Sequence, residues 1–179
     1  LYQTGKLRGA QKDTIGMQQL LADLNTPVFG ATAPHLYGTG KGKLSLPYKM
    51  VLNFEPEFGR YEAQTTGDCV SHSTRNGGML DYCVDAFQGK TTYEGRFSTE
   101  NIYGDRGHGG QGASCAKLAR YVWAEGKGGF LLRKKYGEGR NSVDLSTYNS
   151  GTGHNWGRGG TPSWVNKLAA EHPAVTVSN

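Results

Sequence analysis

Apolar residues recur at helical spacing in several stretches of this chain, separated by polar, glycine-rich segments. Between Asp13 and Leu24 they stand at 15, 17, 20, 21 and 24, one face of a helix that Asn25-Thr26-Pro27 stops. Val70, Met79, Leu80, Val84 and Phe87 predict a longer helix from Cys69 to about Gln88, interrupted at Asn76-Gly77-Gly78. Each glycine inside a helix costs about 1 kcal/mol relative to alanine, so the pair predicts another backbone packed closely on that turn. Ala113 to Glu125 carries the clearest apolar stripe (Ala116, Leu118, Ala119, Val122, Trp123), with Gly126 as its C-cap. Ser98 as an N-cap predicts a short helix over 99–104, and Pro162 to Ala170 predicts another, with Pro173 at its exit. Leu131-Leu132 predicts a buried strand or turn, and Val175 and Val177 alternate with polar residues like the start of a strand.

The segments between are of a different kind. Residues 1–12 form a polar arm or interface segment, and 26–60, with Pro27, Pro34, Pro47 and Pro56, predict extended chain wrapping a surface. Loops are expected over 104–112 and 137–160, the second with Tyr148 and Trp156 as aromatic anchors. The 28 glycines among 179 residues are about twice the usual share, which implies long irregular connections and a fold that leans on partners. Ten tyrosines, six phenylalanines and three tryptophans exclude a solvated tail. The chain therefore divides into an arm and wrapping segment, 1–59, and a helical domain, 60–179.

Charge and cysteine content narrow the class. The net charge is +5, yet the basic residues are scattered; their one cluster, Arg133-Lys134-Lys135, is expected on a solvated face. No basic-aromatic stripe stands out, which leaves for nucleic acid only contact through a generally basic surface. Gly38 to Lys43 lacks the spacing of a phosphate-binding loop. No apolar run approaches 18 residues, so neither a signal peptide nor a membrane span is expected. Three cysteines, an odd number, imply a free thiol and synthesis in a reducing cytoplasm. Cys69-x-x-His72 is half of a zinc pair without a second close pair, so neither a metal nor another cofactor is expected.

The candidate chemistry lies in Gln64 to Asp85, QTTGDCVSHSTRNGGMLDYCVD. A lone cysteine is ordinarily a small buried hydrophobe. Here Asp68 is placed to cap the helix, which puts Cys69 in its first turn. Partial positive charge and unpaired N–H groups there favour a thiolate and can hold an oxyanion. The Gln64 amide can donate to the same oxyanion. An activated thiol at Cys69 predicts alkylation well before Cys83 and Cys115. A cysteine nucleophile also needs a base, and the histidines are 35, 72, 108, 154 and 172. His72 shares the helix face of Cys69, His108 sits in the Asp105–Gly112 loop, and His154 is flanked by Asn155 and Trp156.

The order of these motifs carries a resemblance. A Gln–Cys helix is followed by Ser98-Thr99-Glu100-Asn101-Ile102-Tyr103-Gly104, a glycine-rich loop, the helix from Ala113, and Gly129-Phe130 leading to Tyr136-Gly137. That order resembles the first half of papain-like cysteine peptidases, in particular a branch found as virion proteins of tailed bacteriophages, over residues 60–175. The resemblance implies an α+β fold, mainly the helical domain of the papain-like architecture with long glycine-rich loops. It implies Cys69 as nucleophile, Gln64 as oxyanion donor, and Gly109 and Gly110 pairing with the backbone of a peptide substrate. Gln64 stands one position nearer the cysteine than in that family, and Val70 replaces the usual aromatic. The family's catalytic histidine and its asparagine lie in a β-barrel half that would follow Asn179. The expectation is therefore a structural virion protein, made in the host cytoplasm and assembled with other virion proteins into an oligomer. The alternative is an active peptidase or amidase whose base comes from beyond Asn179.

Overall fold

A computed structural model describes residues 10–11, 14–16, 18–19, 46–58, 64–123 and 128–172. Helix α1 (Leu46–Phe54) packs on the long α2 (Cys69–Phe87). The short α3 (Glu100–Gly104) follows, then strand β2 (Ala113–Ser114) leading directly into α4 (Cys115–Trp123). β3 (Lys135–Tyr136) and β4 (Val143–Asp144) make an antiparallel hairpin, and α5 (Ser150–Gly159) and α6 (Ser163–Ala169) close the described chain. β1 (Ala10–Gln11) pairs in parallel with β2, Ala10 opposite Ala113 and Gln11 opposite Ser114, so part of the predicted arm is a strand. Among the described residues the architecture is mixed: helices with two small sheets, of the α+β kind. The wrapping segment 26–45, Gly126 and residues 173–179 lie outside the described residues.

Helix α2 begins where the sequence places it and runs unbroken through Asn76-Gly77-Gly78. Its deepest stripe is Ser71, Arg75, Met79 and Cys83, four residues apart each time, so half of it is polar. Phe87 is 57% exposed, and Ile15 of the first predicted helix is 81% exposed, contrary to the apolar faces expected for both. Nor does a backbone press on the glycine pair. A Cβ at Gly78 would stand 2.3 Å from the Phe130 ring, whereas Gly77 faces open space. Phe130 stacks on Phe97, which stacks on Tyr82; Tyr82 meets Tyr93, and Tyr93 stacks on Phe54. This aromatic ladder joins α1 and α2 to the extended chain that follows α2.

Two cores result. The larger gathers Val51, Met79, Phe97, Ile102, Leu118 and Val122; the smaller gathers Leu131, Leu145, Val165 and Ala169. Adjacent Leu131 and Leu132 belong to different cores, as an extended chain with alternating faces requires, and Leu132 bridges to Phe97.

The largest departure from the sequence reading is α5, in the stretch 137–160 where a loop is expected. A hairpin, a 3-10 turn (Gly139–Asn141) and a ten-residue helix stand there instead. Asn149 caps the helix by accepting from the Thr152 N–H. Gly153 and Gly157 share its inner face: a Cβ at Gly153 would lie 3.2 Å from the Tyr103 ring, and one at Gly157 2.1 Å from the Arg106 guanidinium. Removing both side chains lets α5 close onto α3, all five residues of which are buried. The basic cluster is a second correction. Arg133 is not on a solvated face: its Nη1 lies 3.0 Å from Glu100 Oε1, with the two side chains 6% and 1% exposed. The neighbouring Lys134 and Lys135 are exposed.

Candidate functional site

The turn before Cys69 is buried from Thr66 to Asp68 and is held by hydrogen bonds at every residue. The Asp68 N–H donates to the Thr66 carbonyl at 2.9 Å, and the Gly67 carbonyl accepts from the Gly112 N–H at 3.1 Å. The side-chain oxygen of Gln111 accepts from the Thr66 hydroxyl at 2.7 Å and from the Gly67 N–H. The glycine-rich loop is therefore fastened to the segment that delivers Cys69. Gln111 follows directly on the Gly109-Gly110 pair, but nothing in the sequence marks its partner, 44 positions away.

Asp68 occupies the N-cap position without capping: its side chain makes no bond to the helix N–H groups. Its Oδ2 instead accepts from the Tyr148 hydroxyl at 2.7 Å and lies 3.4 Å from His72 Nε2. Burial first, and the Asp68 carboxylate second, push the Tyr148 pKa up, so the phenol stays a donor. The His72 ring meets Tyr148 edge-on at 5.2 Å, and its Nδ1 lies 3.3 Å from Arg75 Nη2. Because arginine only donates, Nδ1 accepts and the ring proton sits on Nε2, facing Asp68. Cys69, half-buried at the first position of α2, stands at the edge of this cluster.

The other candidates are placed as follows. Gln64 is exposed and its Nε2 donates to the Thr66 carbonyl at 2.9 Å, a contact with its own turn. Gly110 donates to His108 Nδ1 at 3.2 Å, and its carbonyl accepts from Arg106 Nε at 3.1 Å. A Cβ at Gly109 would lie 3.3 Å from Arg158 Nε. Through Gln111 and Gly112 the loop thus shares the neighbourhood of Cys69, while Gly109 lies near Arg158 of α5 and Gly110 is held by Arg106 and His108. His154 faces Arg106, whose Nη2 is 3.3 Å from its Nδ1 and 3.2 Å from its carbonyl oxygen. Burial, then the charges of Arg106 and Arg158, hold the His154 pKa below the ordinary histidine value. His172 is exposed and gives its carbonyl to Phe130 N–H; His35 lies outside the described residues.

Sequence reasoning missed the residue that organises this side of the molecule, Arg106, which is 3% exposed. Its guanidinium stacks 3.7 Å from the Tyr103 ring centre and donates to the carbonyls of Tyr103, Gly110, Gly153 and His154. One side chain thereby ties α3, the loop and α5 together. Only the glycine that makes room for it, Gly157, hints at it in the sequence.

All three cysteines are free thiols: Cys83 is buried, Cys115 exposed. Burial, and after it Glu55, push the Cys83 thiol up to about 11. Among the described residues no group of three histidine, cysteine or acidic side chains is placed to hold a metal ion, and no helix is long and apolar enough to cross a membrane. Comparison of the chain with protein-family models, with curated proteins and with solved structures finds no match.

Proposed function

We propose that the chain is a structural protein of a bacteriophage virion built on a papain-like helical core, in which Cys69 is a packing position and not a working nucleophile. One observation carries this reading: the groups that would serve Cys69 are engaged elsewhere. His72 has one ring nitrogen against Arg75 and the other against Asp68, which leaves no lone pair for a thiol proton. His154 spends its Nδ1 on Arg106, and the Gln64 amide spends a proton on Thr66. Support for the core comes from element order: a helix begun by Cys69, a short helix at Glu100, a glycine-rich loop, then a helix from Cys115. In this reading the partners are other virion proteins in an oligomeric assembly, formed after synthesis in the host cytoplasm.

A second reading has an observation of its own. Cys69 opens a 19-residue helix and is not fully buried, beside a loop that Gln111 fastens in place. That arrangement suits a cysteine peptidase or amidase whose base comes from outside the described residues. Replacing Cys69 by serine in the phage that encodes the protein separates the two. Particles of normal composition and infectivity support the structural role; uncleaved precursors or non-infectious particles support the enzyme.

A further inference from the structure

The loop that Arg106 organises gathers hydrogen-bond donors. Lys117, from α4, approaches Gly107: a Cβ there would lie 2.7 Å from its Nζ. Gly107 has φ +74, so the turn itself favours glycine. Arg158, from α5, approaches Gly109 in the same way at 3.3 Å. These glycines are two positions apart, about 7 Å of chain at most, so the two cations flank one short turn. His108 Nδ1 accepts from Gly110 N–H and His154 Nδ1 accepts from Arg106, which leaves the proton of each neutral ring on Nε2. Lys117 gives a proton to the Arg106 carbonyl, a neutral acceptor, at 3.1 Å. The loop also carries a carboxylate, Asp105, whose charge, after burial, pushes the Tyr121 pKa up. Lys117 and Arg158 are exposed, and Arg120 stands one turn on from Lys117.

The far end of α2 carries several carboxylates, one of them paired: Lys90 Nζ lies 3.2 Å from Asp85 Oδ1. α2 starts beside this loop, one residue after the turn that Gln111 holds, and its 19 residues span about 28 Å. Asp81 and Asp85 lie near its far end, where Glu94 donates its N–H to Tyr82 and Glu55 accepts from Tyr93. Lys117 and Arg158 thus form a basic end around Gly107–Gly110, beside the start of α2.

We infer that the basic end, carried by Lys117 and Arg158 around the Gly107–Gly110 turn with His108 and His154 beside them, is a binding surface for the phosphate backbone of nucleic acid. A donor-rich, surface-exposed set spread over two helices suits an extended acceptor-only polyanion better than a small ligand that needs enclosure. A duplex presents one phosphate per about 3.4 Å on each strand, a finer spacing than the about 7 Å of chain between Gly107 and Gly109. The inference goes beyond the structural reading and requires nothing of Cys69.

The test is fluorescence anisotropy of a short labelled DNA duplex titrated with the protein across a series of salt concentrations. The expected result is sequence-independent binding whose logarithm falls linearly with the logarithm of salt. Lys117→Glu with Arg158→Glu should weaken it by about tenfold or more and lower the salt slope by about 2, one for each phosphate no longer neutralised. Arg158→Glu alone, with Lys117 still in place, should lower the slope by about 1. Lys134→Glu with Lys135→Glu changes net charge equally at another surface and should have a clearly smaller effect. Equal weakening in the two double variants would overturn the inference, as would absence of binding at low salt. Displacement of the duplex by inorganic phosphate at matched ionic strength would also overturn it, in favour of a closed phosphate pocket. Salt-sensitive self-association without DNA binding would overturn it too, assigning the basic end to a second copy of the chain.

Discussion

The Tyr148 hydroxyl donates to Asp68 Oδ2 at 2.7 Å across 80 positions of sequence, and this contact fixes what the residue before Cys69 does. Asp68 is 1% exposed, so its carboxylate depends on the partners around it. Tyr148→Phe keeps the ring against His72 and removes the hydroxyl, with its bond to Asp68 and its contact with Thr65. The expected cost is about 2 kcal/mol, the usual worth of a hydrogen bond to a charged group, read as a lower midpoint in urea with an unchanged slope.

Adjacent glycines of α2 should respond with opposite sign. Gly77 is exposed and a Cβ there meets nothing within 4 Å, so Gly77→Ala should stabilise by up to about 1 kcal/mol through helix propensity alone. At Gly78 the new methyl would stand 2.3 Å from the Phe130 ring, at the end of the aromatic ladder. Gly78→Ala should therefore destabilise by about 1–3 kcal/mol, the range for overpacking a core. Thermal denaturation of the two variants decides it.

The Glu100–Arg133 pair should behave as a buried one. Glu100 also accepts from the N–H groups of Thr99 and Asn149, which anchors the start of α5 on α3. Arg133→Met leaves the carboxylate without its cation and should cost about 3 kcal/mol or more. Lys134→Met, at an exposed neighbour, should stay within about 0.5 kcal/mol. Similar destabilisation of the two variants, measured by chemical denaturation, would show that the pair contributes little.

Local signals are legible in this chain and long-range ones are not. The start of α2 at Cys69, the short helix at Glu100, α4 and α6 follow from periodicity and turn residues, which act within a few positions. The use of Asp68 does not, because its partner is Tyr148 and a local rule assigns it to capping. Helix α5 reads as a loop because four of its ten residues are glycine, each a penalty for an isolated helix. In the fold, two of those glycines are what lets Tyr103 and Arg106 approach. Arg133 reads as solvated for the same reason: its position among lysines is visible in the sequence and Glu100 is not. At the candidate site, the nearness of Cys69 to the glycine-rich loop is legible from motif order. The engagement of Gln64, His72 and His154 with other groups depends on side-chain geometry that spacing does not carry.

The most direct test of the central claim is the rate at which iodoacetamide alkylates each cysteine of the native protein at neutral pH, followed by peptide mass spectrometry. With no imidazole among the described residues given over to Cys69, its half-buried thiol should react no faster than exposed Cys115. Cys83, buried and with its thiol pushed up to about 11, should react last and only as the fold opens. A Cys69 rate about 100-fold above that of Cys115 would contradict the structural reading and make Cys69 an activated nucleophile.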